Sequence, residues 1–201
     1  MLVKVSSKVA QWTKLIQCFI AKCNDIKLQR YYSKELLRYS IKSVFKVEIE
    51  DEAVMRNQYG KPSFKNNEHI KFNISHCDGL IACAVGLEEI GVDVENIRSF
   101  DDYVVRRVCN KKEINSIYNS DDSEKTFFTY WTMKESLGKA LGVGLHYPIK
   151  ENEFIQNGDE YLCNYKGLKI KNYQIDNKFI LSICTDKNEE IILRGGNLDG
   201  R

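Results

Sequence analysis

The chain has 201 residues and sets 30 Lys and Arg against 28 Asp and Glu, a formal net charge of +2. That balance argues against a dedicated nucleic-acid binder, which carries a clear basic excess, and 43% hydrophobic with 29% charged residues fits a globular chain rather than a disordered one. The longest largely apolar stretch, Gly79 to Leu87, falls far short of the ~18–20 residues that cross a bilayer, and the N-terminus does not read as a signal peptide.

In chain order, Leu2-Val3-Lys4-Val5 reads as a short strand. Trp12, Leu15, Ile16, Phe19 and Ile20 then recur at helical spacing, so a helix is expected over about Ala10 to Cys23. A second helix is expected after Ser33, on Leu37, Ile41, Val44 and Phe45, and the turn Tyr59-Gly60-Lys61-Pro62 closes this helical half. From there the period changes to two. Ile70 to Ile74 alternates, Leu80 to Leu87 is a short apolar run, and Ile90 to Glu95 alternates again. Helices follow over about 102–109, 112–118 and 124–141, the last ended by Gly142 and Gly144. Residues 154–193 are mostly strand-like, and the tail after Arg194 reads as loose. Strand–helices–strands therefore occurs twice. This is an α+β pattern with a weak internal duplication, its junction near Glu88–Gly91.

The seven cysteines are an odd number without a C-x-x-C pair, and three histidines accompany them. They read as reduced thiols packed as small hydrophobes, neither a zinc site nor a disulfide framework, which places the protein in the cytosol. Asp93 and Glu95 sit two apart on a strand, so both carboxylates leave one face while Val92 and Val94 leave the other. An isolated pair of this kind is ordinarily a solvated strand face. Two adjacent carboxylates also suit a magnesium ion, which takes one or two of them together with phosphate oxygens. Glu135 and Lys139 lie one turn apart on a helix face shared with Trp131; on a bare surface they would be an ordinary ion pair. Tyr59-Gly60-Lys61-Pro62 alone is a turn, and Asn73-Ile74-Ser75-His76 alone is the end of a strand. No phosphate-binding glycine loop or nucleophile elbow is present.

Taken together and in order, these pieces resemble the phosphopantetheinyl transferases of the surfactin-synthetase-activating type. The matching segments are Tyr59-Gly60-Lys61-Pro62, Phe72-Asn73-Ile74-Ser75-His76, Ile90-Gly91-Val92-Asp93-Val94-Glu95, and Trp131-Thr132-Met133-Lys134-Glu135-Ser136 with Lys139. The last two carry the family patterns (V/I)G(V/I)D(V/I)E and (F/W)xxKE(S/A)xxK intact. The resemblance covers about residues 28–150 and, more loosely, the strand-rich end. It implies a monomeric pseudo-twofold duplication of two similar α+β halves, with the active site in the cleft between them. Residues 1–90 would form the N-terminal half on the coenzyme A side, and 91–201 the C-terminal half with the metal motifs. The implied reaction is Mg²⁺-dependent transfer of the 4'-phosphopantetheine arm of coenzyme A to a serine of an apo acyl or peptidyl carrier protein, releasing 3',5'-ADP. No nucleic acid or membrane takes part. By position in the motifs, Asp93, Glu95 and Glu135 would hold the metal and Lys139 would contact the diphosphate. Arg30, Lys61, Ser75 and His76 would line the coenzyme A site, Arg30 against the 3'-phosphate, and Glu113 would act as general base. Two features depart from the family: the N-terminal segment is short, with Lys14 the candidate for its basic residue, and Cys77 stands where a hydroxyl residue often follows the histidine. The alternatives are a magnesium-dependent hydrolase of the coenzyme A diphosphate and a non-catalytic carrier-binding module. The intact carboxylates and Lys139 disfavour the second.

Overall fold

The computed structural model describes residues 15–49, 54–164, 167–186 and 188–195. The strand expected at Leu2–Val5, the position of Lys14 and the end of the tail lie outside them. The run from Leu15 onward is a strand, β1 (Leu15–Cys23), and not the helix its spacing suggests. The reason is burial on both faces. Ile16 and Cys18 enter one core while Phe19, Ala21 and Cys23 enter another, so apolar residues fill helical and alternating positions alike. The helix α1 (Gln29–Phe45) also begins earlier than expected, placing Ser33 inside it.

Two short strands, β2 (Val54–Arg56) and β3 (Pro62–Phe64), form a hairpin around the Tyr59–Pro62 turn, where Gly60 takes φ +87°. Next come β4 (Lys71–Cys77), β5 (Gly79–Gly86) and β6 (Gly91–Asn96). The helices α2 (Asp102–Val108), α3 (Lys111–Tyr118) and α4 (Ser123–Leu141) match the expected spans within about a residue. Five strands complete the described chain: β7 (Phe154–Asn157), β8 (Glu160–Cys163), β9 (Leu168–Ile175), β10 (Phe179–Asp186) and β11 (Glu190–Gly195).

One sheet runs β11-β1-β5-β4 and the other β6-β10-β9-β8-β7. The two sheets share a topology with which the expected duplication is compatible. In the first, a strand (β1), a helix (α1) and two further strands (β4, β5) assemble antiparallel in the order β1-β5-β4. In the second, β6, α4, β9 and β10 do the same in the order β6-β10-β9. The last strand, β11, returns to the first sheet and pairs parallel with β1.

The layers are α1, first sheet, second sheet, α4. Between the sheets lies a core of Leu80, Ala82 and Ala84 from β5, Val92 and Val94 from β6, and Leu181 and Ile183 from β10. The intervening residues of β5, Ile81, Cys83 and Val85, face α1 through Leu36 and Ile41. The opposite face of the second sheet takes Phe127, Phe128, Met133 and Leu137 of α4. Period-two alternation thus lets each strand serve two cores.

Candidate active site

Because Val92 and Val94 occupy the core between the sheets, Asp93 and Glu95 are turned toward α4. Gly91 allows that helix to come close: a Cβ there would lie 1.8 Å from the Ser136 carbonyl oxygen. The free edge of β6 meets the free edge of β4 through side chains. Asn73 Oδ1 accepts from the Val92 N–H at 2.8 Å and Ser75 Oγ from the Val94 N–H at 3.3 Å. The Asn73-Ile74-Ser75 spacing therefore satisfies two edge donors that no strand covers.

Ser75 Oγ also donates to Asp93 Oδ1 at 2.9 Å, and Lys139 Nζ reaches the same oxygen at 2.6 Å. Asp93 is 4% exposed, and its Oδ2 is buried without a hydrogen-bond partner among the described residues. Burial pushes its carboxyl up despite the pull of Lys139. Glu135, one turn before Lys139, is pushed up to about 7 by burial and by the charge of Asp93, with Glu95 adding to it. Glu95 accepts from Trp131 Nε1 at 3.4 Å and pairs with Arg98 at 2.8 Å. Three carboxylates thus crowd one another beside a single lysine. Among the described residues no three such side chains are already gathered in ligating geometry. The orphaned Asp93 Oδ2 and the mutual repulsion nonetheless fit a divalent cation, which supplies the charge this cluster lacks.

Glu135 and Lys139 line a cleft of about 430 Å³ together with Arg30, His76 and the Tyr59–Pro62 turn. Ser75 and Asp93 adjoin it through their bonds to Lys139. Lys61 lines the cleft, but its ammonium is committed, to Glu89 at 2.6 Å and the Ala140 carbonyl at 2.9 Å. Glu113 is the residue the structure places elsewhere. It caps α3 reciprocally with Asn110 and pairs at 3.0 Å with Lys134, which is fully buried. Both lie off the cleft: Glu113 lines a separate small cavity of about 170 Å³ with Tyr130 and Phe154. The Asn110-to-Glu113 spacing of the capping box is a local signal in the sequence, whereas the pair with Lys134 is made only by the fold.

A family model described as the 4'-phosphopantetheinyl transferase superfamily matches residues 89–193, just over half of the chain. The chain belongs to that superfamily. It is 27% identical over 183 residues to the 4'-phosphopantetheinyl transferase Sfp of Bacillus subtilis (strain 168), covering 83% of this chain and 82% of that one. It is 32% identical over 136 residues to the 4'-phosphopantetheinyl transferase gsp of Aneurinibacillus migulanus, covering 66% and 56%. With the ffp transferase of Bacillus subtilis the identity is 25% over 189 residues, covering 86% and 84%.

Two cleft residues of this transferase escaped the sequence. Arg56 lines the cleft and donates to the Gly60 carbonyl at 2.8 Å, which its place just ahead of the glycine turn made findable. Ser33, on the first turns of α1, is 8% exposed and its hydroxyl has no partner among the described residues. Ser40 of the same helix, by contrast, back-bonds to the Leu36 carbonyl at 2.7 Å. Nothing in the sequence distinguishes the two serines.

Proposed function

We propose that this transferase moves the 4'-phosphopantetheine arm of coenzyme A onto a serine of an apo carrier protein, releasing 3',5'-ADP, with coenzyme A in the cleft between the two halves. The observation that carries this reading is the meeting of Asp93, Glu135 and Lys139 beside a cleft that Arg30, Arg56 and His76 also line. Residues 1–90 supply the coenzyme wall and 91–201 the acidic cluster, with β11 returning to the first sheet. The protein acts as a monomer in the cytoplasm, in keeping with its free cysteines.

Asp93, Glu95 and Glu135 would hold Mg²⁺, which when bound neutralises and orients the diphosphate. Lys139 places a fixed positive charge at the same point, and Ser75 holds Asp93 in position. Arg30 and His76 bind the 3'-phosphate, and the Lys61 turn forms the wall beside them. A carboxylate of the acidic cluster, directly or through a water, takes the carrier serine's proton as the serine oxygen bonds to the β-phosphorus; the bond to the bridging oxygen breaks and its electron pair leaves on 3',5'-ADP. Such a reaction asks mainly for positioning and charge neutralisation. Those are what Lys139 and the acidic cluster provide.

The test is intact-mass spectrometry of a panel of apo carrier proteins incubated with the transferase, coenzyme A and Mg²⁺. One added phosphopantetheine on the carrier serine is expected. Cleavage of coenzyme A without any gain on a carrier would point to the hydrolase instead, and no reaction at all would sink the enzymatic reading.

A further inference from the structure

The turn between β2 and β3 is fastened to the far end of α4. Asn57 engages its backbone and both side-chain polar atoms to do so. Its N–H donates to the Lys61 carbonyl at 3.0 Å, and its carbonyl accepts from the Gly60 N–H at 2.9 Å. Its Oδ1 accepts from the N–H groups of Tyr59 and Lys61, each at 2.9 Å, which folds the turn. Its Nδ2 then donates to the Gly142 carbonyl at 2.8 Å, across 85 residues of sequence. Lys61 makes a second strap, from Nζ to the Ala140 carbonyl at 2.9 Å.

Carbonyls at a helix C-terminus have no intrahelical donor, and a cation there is favoured by the helix dipole. The first half of the molecule therefore completes a helix of the second. The approach is close by construction. Gly142 takes φ +72°, and a Cβ on it would lie 3.2 Å from Asn57 Nδ2 and 3.1 Å from Lys61 Cδ. Lys139, whose ammonium is 2.6 Å from Asp93, sits in the last turn of the same helix.

We propose that Asn57 is a positioning residue for the transfer: its bond to the Gly142 carbonyl sets α4, and with it Glu135 and Lys139, against the coenzyme wall at Tyr59–Pro62. The proposal rests on the reading of the cleft given above. It assigns Asn57 no contact with substrate. What it sets is the register between the wall that holds the nucleotide and the charges that face the reacting phosphorus.

Asn57→Asp separates the strap from the turn. The carboxylate still accepts from Tyr59 and Lys61, but it has no donor for Gly142. With a carrier substrate, kcat is expected to fall about tenfold, the scale of one lost hydrogen bond between parts that must stay in register. The inhibition constant of 3',5'-ADP, which needs the wall but not the reacting geometry, is expected to change by less than about threefold over the same comparison. Asn57→Ala loses the turn as well, so it should weaken 3',5'-ADP in addition to lowering kcat. Unchanged kcat in Asn57→Asp overturns the proposal. So does a loss of kcat matched by an equal loss of 3',5'-ADP binding and a lower Tm, because a purely structural residue would give that pattern. If the unsubstituted protein transfers nothing to any carrier, the cleft reading fails and the positioning role falls with it, an outcome visible in the wild-type arm alone.

Discussion

Asp93 shows how one side chain can be both well held and incomplete. Lys139 and Ser75 satisfy Oδ1, while Oδ2 is buried without a donor, an arrangement that costs about 1–3 kcal/mol in a folded protein. Asn fits the same space and removes a buried charge that Glu95 and Glu135 repel. Asp93→Asn is therefore expected to keep or raise Tm while lowering turnover at least about a hundredfold, since it removes charge from the proposed metal site. Near-normal turnover in that variant would remove Asp93 from the machinery. Arg30 permits a more selective experiment. It is exposed, lines the cleft, and in the proposed pose meets the 3'-phosphate, far from the reacting bond. Arg30→Ala should raise the KM for coenzyme A about ten- to a hundredfold with little change in kcat. Dephospho-coenzyme A, lacking that phosphate, should lose little more in the variant than it already loses in wild type. Equal losses for the two ligands would place Arg30 elsewhere.

Among the elements, α3 and α4 share a buried ion pair that the sequence did not announce. Lys134 is fully enclosed; it holds Glu113 at 3.0 Å and the Ile149 carbonyl at 2.8 Å, and lies over the Phe154 ring. Removing one partner of such a pair typically costs about 3–5 kcal/mol, because the other charge remains buried and alone. Glu113→Ala also destroys the capping box with Asn110. Its expected effect is thus a large drop in the urea midpoint, with kcat per folded molecule little changed. A stable Glu113→Ala protein that no longer turns over would instead make Glu113 the general base. The same contrast shows what the sequence could and could not disclose. Asp93 and Glu95 were legible because strand periodicity alone fixes which way they point. The α4 span was legible from its glycine stop, and Gly142 indeed closes it at φ +72°. β1 was not, because a strand buried on both faces has no alternation to read. The commitments of Glu113 and Lys61 were not legible either, because their partners, Lys134 and the Ala140 carbonyl, come from distant parts of the chain.

At the scale of the whole molecule, the two sheets share the core between them and β11, which follows the strands of the second sheet in the chain, pairs in the first, so neither sheet is enclosed without the other. They should unfold as one unit. The buried thiols offer a way to see this. Cys83 lies in the core under α1, and Cys184 in the core under α4. Burial pushes the Cys83 thiol up to about 12 and holds that of Cys184 well above the ordinary thiol range. At pH 8 the folded protein therefore presents almost no thiolate at either position, whereas an unfolded thiol, with a pKa of about 8.5, reacts readily. Pulsed alkylation along a urea gradient, read by peptide mass spectrometry, should give the same midpoint for Cys83 and Cys184. A lower midpoint for one of them would mean that its half opens alone and that the shared core does not couple the two. The same shifts fix a sign for pH. Above about 9 the unfolded chain releases thiol protons that the folded chain retains, so it binds fewer protons and stability falls as pH rises. The common midpoint should thus move to lower urea between pH 8 and pH 10, for both cysteines together; a midpoint that stayed fixed would show that these thiols titrate alike in the two states.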